Sequence, residues 1–218
     1  MSQNHAADWK LADAKILKPE EFKAILSACK DLGQYDPYWL TMYDVIAIGV
    51  NTGLRVSEIL HIEKEDVLPS RLMVIRRKKK YLHPEPIEIM PTVHALLKER
   101  AERVEGGFIF PGKQAPCFIE HQGKRGEELG REQFCCGGHA SIRNVQRRWR
   151  LIVTECGLYQ YGRGIHSTRH GAITAVYTKT RDLRKAQVFA GHSSSQMTER
   201  YAHVVDMAST LAEMETVL

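Results

Sequence analysis

Long hydrophobic runs are missing from this 218-residue chain. No stretch of about 18 apolar residues occurs, which excludes an ordinary transmembrane helix. The opening stretch MSQNHAADWKLADAK lacks the basic-then-apolar layout of a secretory signal. Cysteine is scarce and irregular, at Cys29, Cys117, Cys135, Cys136 and Cys156. An odd, unevenly spaced set predicts free thiols in a reducing cytoplasm rather than a disulfide framework. Internal repeats and low-complexity tracts are also absent. What remains is a chain whose apolar fraction of 43% suffices for a real core.

Charge is present but unevenly placed within a net balance of +5. Residues 1–70 carry 7 basic and 11 acidic side chains, or −4; residues 71–150 carry 17 and 9, or +8; residues 151–218 carry 7 and 6, or +1. A basic centre in a nearly neutral protein suggests a localised anionic partner such as nucleic acid, with solvated surface as the alternative.

The pattern along the chain predicts a mostly α fold with a small antiparallel β-sheet. LKPEEFKAILSAC reads as a helix start, with Pro19 near its first position and Glu20 and Glu21 in its first turn. DPYWLTMYDVIAIGVNTG reads as a buried helix ending towards Gly53, and LRVSEILHI as a helical restart just beyond that turn. RLMVIRR and PIEIM are strand-like and flank KKKYLHPE, which gives a hairpin with a basic tip. TVHALLKERAERV is helical again. Residues 106–138 are rich in glycine and charge and predict a long surface loop or insertion. From ASIRNVQRRWRLIVTECGL onwards the chain returns to helices.

Five features can carry chemistry, and each has an ordinary explanation when taken alone. Arg55 and Glu58 in NTGLRVSE lie three apart, as a surface ion pair would. RRKKKYLHP can be a solvated turn. His166 and Arg169 in IHSTRHG can be a polar cluster at a helix start. His192 in AGHSS can be a capping histidine, and Tyr201, the only aromatic residue after Phe189, can be a half-buried packing side chain.

Taken in this order, the stretches TGLRVSEIL, RRKKK, HSTRHGA and GHSSSQMTERYAHV resemble the tyrosine recombinase (phage integrase) family. The resemblance covers roughly residues 15–206, with 23 positions between Arg169 and His192 and 9 between His192 and Tyr201. It implies that Arg55 and Arg169 are the catalytic arginines, His166 and His192 the accessory histidines, and Tyr201 the nucleophile. Glu58 matches the acidic position that supports the first arginine. The family's hairpin lysine aligns best with Lys78, with Lys79 and Lys80 as alternatives. His170 is given a structural role. The basic residues expected to touch DNA are Arg76, Arg77, Lys79, Lys80, Arg143 and Arg147.

The chemistry accounts for these residue types independently. Displacement at a phosphodiester concentrates charge on two non-bridging oxygens, which forked and permanently charged guanidiniums can clamp. Tyrosine has an unperturbed pKa near 10 and needs local activation. Nearby cations favour the phenolate, and a histidine can accept its proton. A lysine ammonium can protonate the leaving 5′ oxygen. The product is a 3′-phosphotyrosine, resealed by a 5′ hydroxyl. Such a cycle needs no cofactor and no metal, in keeping with the lack of a Walker motif or carboxylate cluster in the sequence. Cys117, His121, Cys135, Cys136 and His139 fit no standard zinc spacing.

The resemblance implies a site-specific recombinase of integrase or invertase type, cytoplasmic and nucleoid-associated, acting on double-stranded DNA. It implies a homo-tetramer on DNA, a monomer or weak oligomer when free, and accessory DNA-bending proteins as possible partners. A type IB topoisomerase and a DNA-binding regulator without activity are the alternatives. With TGLR at residue 52 there is no room for the family's N-terminal DNA-clamping domain. The expectation is therefore a single catalytic domain over 1–218, either a natural single-domain member or a fragment. Residues 1–14 are expected to be a flexible lead-in and 206–218 a tail helix, packed on its own domain or on a neighbour.

Overall fold

Proline and acidic residues start the first helix where the sequence places them. In α1 (Pro19–Gly33) the proline needs no amide partner, and Glu20 and Glu21 face the positive helix end. The Glu21 carboxylate accepts the Lys18 backbone N–H at 2.6 Å. Phe22, Ile25 and Cys29 are its buried face. The next helix, α2 (Tyr38–Thr52), is apolar nearly all round and closes at Gly53, whose φ of 64° is left-handed. The helical restart expected across LRVSEILHI amounts to one turn, α3 (Val56–Ile59).

The chain continues through a 3₁₀ turn (Lys64–Asp66), β1 (Val67–Leu68), β2 (Arg71–Ile75), β3 (Pro84–Glu88), α4 (Pro91–Glu102), α5 (Ile142–Glu155), α6 (Ser167–Thr180) and α7 (Leu183–Ala190). A further helical stretch spans 196–202. This computed structural model describes residues 16–76, 83–112, 138–202 and 205. It is mostly helical with a small antiparallel sheet, the fold class expected. None of the described helices is long and apolar enough to cross a membrane. The chain divides into two compact units, Met1–Arg55 with Arg148–Leu218, and Val56–Arg147.

In the first unit, α2 packs on α1 and on α6, and α6 packs on α7. Arg148 of α5 pairs with Asp36 at 2.7 Å, and its guanidinium lies over the rings of Tyr38 and Trp39. Trp149 is buried and donates from Nε1 to the Arg163 carbonyl at 3.0 Å. The core that matters for the site is formed by Ile173 and Tyr177 of α6, Ala186 and Ala190 of α7, and Tyr201.

In the second unit the strands lie in the order β1-β2-β3, all antiparallel, with Arg71 opposite Glu88 and Ile75 opposite Pro84. Pro84 and Pro86 sit on the edge strand, where a missing N–H is tolerated. Leu72 and Val74 point inward, and the alternation carries on to Arg76, which is 4% exposed. Its Nη1 lies 3.4 Å from Glu58 Oε2, and the Glu58 side chain is fully buried. Arg76, expected to touch DNA, is thus buried and paired with Glu58. Arg77, Lys78, Lys79 and Lys80 lie outside the described residues.

The loop expected over 106–138 begins later than the sequence suggests. Ile109 and Phe110 are buried, and the Ile109 N–H donates to the Ile62 carbonyl at 3.0 Å. Single bridges join Phe108 to Glu63 and Pro111 to His139. Three apolar residues between glycines are too few to show a period, yet they suffice to dock the segment. The rest of the loop, with Cys117, His121, Cys135 and Cys136, lies outside the described residues, as do the lead-in 1–14 and the tail 206–218.

Candidate active site

Arg55, Arg169, His192 and Tyr201 all belong to the first unit. Four pieces of chain supply them: the turn after α2, the start of α6, the end of α7 and the helical stretch 196–202. Arg55 follows Gly53 and Leu54 and is half-buried. The left-handed glycine turns the chain, and the Leu54 N–H is held by the Thr52 hydroxyl at 3.3 Å.

Arg169 is buried on α6 and locked at two points. Nη1 donates to the Gly53 carbonyl at 2.5 Å and Nη2 to the Ala190 carbonyl at 2.7 Å. Both acceptors lie at helix C-termini, where carbonyls lack partners within the helix. A planar fork fits this pair of acceptors, and a single ammonium could not span both in the same way.

His192 follows Gly191, the left-handed cap of α7. Its backbone N–H donates to the Gln187 carbonyl at 3.1 Å, and the Gln187 amide returns a bond to the His192 carbonyl at 3.2 Å. On the ring, Nδ1 lies 2.8 Å from the hydroxyl of Thr198, a residue with no exposed surface. The peptide and the ring nitrogen Nδ1 are therefore both fixed.

Tyr201 is 9% exposed. Its ring lies nearly parallel to that of His192, with centroids 6.3 Å apart. Its hydroxyl is 2.6 Å from Nδ1 of His170. Burial pushes the phenol above its ordinary pKa, and the charges of Arg169, Arg200 and Arg55, in that order, pull it down again. The ring packs in the core cluster, and the hydroxyl points into a polar, cationic site.

Arg55, Arg169, His192 and Tyr201 come together in one unit. His166 is exposed at the N-cap of α6, and its carbonyl accepts the His170 N–H at 3.0 Å. Arg143 and Arg147 are exposed on α5, with Arg147 Nη2 3.3 Å from Asn144 Oδ1. Sequence reasoning does not single out Arg200, adjacent in the chain to Tyr201. His170, whose expected role is structural, touches the tyrosine hydroxyl. A signal for His170 existed: positions 170, 173 and 177 share a helix face, and Ile173 and Tyr177 are in the Tyr201 cluster.

Known proteins give a consistent comparison. The chain is 28% identical over 192 residues to "Tyrosine recombinase XerC" of Caldanaerobacter subterraneus subsp. tengcongensis, covering 86% of this chain and 46% of that protein. It is 24% identical over 190 residues to "Tyrosine recombinase XerH" of Campylobacter jejuni, covering 87% and 48%. The chain spans about half the length of the curated relatives it matches. Among solved structures, a XerH site-specific recombinase bound to difH substrate superposes with a TM-score of 0.63 at 22% identity, over 90% of this chain and 52% of that one. The catalytic domain of bacteriophage HP1 integrase superposes at 0.54 and 16% identity, over 87% of both chains. Those two likenesses concern the fold. Residues 15–207, nearly the whole chain, match the family described as "Phage integrase family". The chain belongs to the phage integrase family.

Proposed function

We propose that this protein cleaves and rejoins double-stranded DNA at specific sites through a covalent 3′-phosphotyrosine on Tyr201. The observation that carries this reading is a buried tyrosine hydroxyl, hydrogen-bonded to a histidine, in the field of Arg169, Arg200 and Arg55. Arg55 and Arg169 hold the scissile phosphate, and Arg169 is already fixed by two carbonyls before DNA arrives. His192 adds a hydrogen bond from Nε2 to a non-bridging oxygen. A hairpin lysine, Lys78 or one of Lys79 and Lys80, protonates the departing 5′ oxygen. Arg143 and Arg147 lie exposed and suit phosphate contacts. The relatives' names favour recombination over simple relaxation, with a homo-tetramer as the working assembly on DNA.

The test is a pool of nicked suicide duplexes with randomised arms, mixed with the 218-residue chain. SDS-stable adducts are recovered and sequenced. The expected result is an adduct that disappears in Tyr201→Phe while DNA binding persists. An equal adduct in the Phe variant, or no adduct from either protein, refutes the reading. A 5′-bridging sulfur, which leaves without a proton, should rescue Lys78→Ala. Without rescue, the acid lies elsewhere.

A further inference from the structure

We infer that His170 is a catalytic residue, the base that takes the Tyr201 phenolic proton as the tyrosine attacks and returns it when the strand is resealed. This inference rests on the reading of Tyr201 as the nucleophile. It assigns a step for which the resemblance offers two other histidines, and geometry separates the three. His170 Nδ1 is the ring nitrogen at 2.6 Å from the tyrosine oxygen. The His192 Nδ1 is engaged with Thr198 Oγ1, and its ring lies alongside the tyrosine ring at 6.3 Å, which is a stacking relation. His166 sits exposed at the start of α6, one turn before His170.

The position of His170 is over-determined. It follows Arg169, which is pinned to Gly53 and Ala190, and it shares a helix face with Ile173 and Tyr177, which pack in the cluster containing Tyr201. The histidine and the tyrosine are therefore held from both sides of their hydrogen bond. A proton acceptor for a nucleophile must lie within about 2.6–3.2 Å of the atom that gives up the proton, and this one does. Burial raises the phenol above its ordinary pKa, so attack by this oxygen calls for an acceptor of its proton.

The balance of the step is complete. As Tyr201 Oη bonds to phosphorus, the P–O5′ bond breaks. The phenolic proton passes to His170 Nδ1 and makes an imidazolium, and the 5′ oxygen takes a proton from a general acid, for which the resemblance offers an ammonium group. In the return step the 5′ hydroxyl attacks phosphorus and gives its proton to the amine. The P–Oη bond breaks, and the imidazolium returns its proton to Oη.

The experiment uses a nicked duplex recovered from the pool described above and measures the rate of adduct formation. His170→Ala and His170→Asn are expected to lower that rate by about 10²-fold or more, the usual worth of a general base, with DNA affinity retained. Asparagine places an amide near the Nδ1 position without accepting a proton, so it preserves the packing if alanine does not fold. Added imidazole should restore much of the rate to His170→Ala. A 5′-bridging sulfur should not restore it, because that substrate relieves only the departing oxygen. Both variants within about threefold of wild type overturn the assignment, since the loss of a base costs at least about 10²-fold. Rescue by sulfur also overturns it, by moving His170 to the leaving-group side. Either outcome stands apart from failure of the nucleophile reading, which shows as an adduct surviving in Tyr201→Phe.

Discussion

Replacing Gly53 with alanine separates two physical features of the turn that carries Arg55. The residue sits at φ 64° and ψ 13°, where a side chain costs about 1–2 kcal/mol. An added Cβ would also come within 2.7 Å of Phe189 Cε1. That is well inside van der Waals contact, and moving a ring in a packed site costs about 1–3 kcal/mol. Against these stands a gain of about 0.4–1 kcal/mol from the stiffer unfolded chain. The net expectation is a loss of roughly 1.5–4 kcal/mol, each kcal/mol lowering Tm by about 2–4 °C for a chain of this size. Urea unfolding of four proteins tests the arithmetic: wild type, Gly53→Ala, Phe189→Ala and the double variant. Without the ring only the backbone part remains, so the cycle should show a coupling of about 1–3 kcal/mol, as expected for residues in contact. Equal costs in the two backgrounds would refute the Phe189 contact. A net stabilisation by alanine would refute the left-handed backbone. Because the Gly53 carbonyl accepts from Arg169, adduct formation by the folded variant should also fall.

Glu58→Ala should destabilise by about 3–5 kcal/mol, the cost of leaving a buried partner unpaired, because the side chains of Arg76 and Glu58 are 4% and 0% exposed; denaturant unfolding measures it, and a loss under about 1 kcal/mol counts against the pair. Thr198→Val should leave His192 Nδ1 without its hydroxyl and slow adduct formation by up to about tenfold, the worth of one hydrogen bond; an unchanged rate would remove Thr198 from the positioning of His192. The Cys29 thiol is pushed up to about 12 by burial and, less, by Cys156. At pH 8 it should therefore resist maleimide in the folded chain and react on unfolding, with mass spectrometry as the readout. The folded state holds the Tyr201 proton more tightly than the unfolded chain does. The stability this confers is complete below the unfolded value of about 10 and is lost as pH rises through the folded one. Tyr201→Phe should flatten that alkaline decline, and parallel slopes would refute it.

Much of this was legible from residue patterns. Pro19 with its two glutamates marked the start of α1, Gly53 marked the end of α2, and the β-branched run around Val74 marked the hairpin strand. These are local signals, set within one or two turns of chain. Composition misled where it averaged over orientation. Arg76 stands in a basic run, but the period-2 alternation from Leu72 and Val74 turns it inward, and only the burial of Glu58 shows what it meets. Phe110 was lost in a glycine-rich stretch because three apolar residues display no period. The His170–Tyr201 bond joins residues 31 positions apart, so it depends on how α6 and the stretch 196–202 pack against each other. Adjacent histidine and arginine on a helix do not face the same way, which is why assigning roles to the neighbour Arg169 said nothing about His170.

The two carbonyls that hold Arg169 have a consequence for distinguishing working enzymes from retired ones. Its guanidinium satisfies the ends of two helices, α2 and α7, before any phosphate is present. A relative without the proposed cleavage activity would still need this arginine to keep those helices together, and replacing it would erode the fold first. Retention of Arg169 is thus a sign of architecture as much as of activity. The proposed chemistry draws instead on the paired tyrosine and histidine, whose hydroxyl–imidazole contact joins two side chains rather than helix ends.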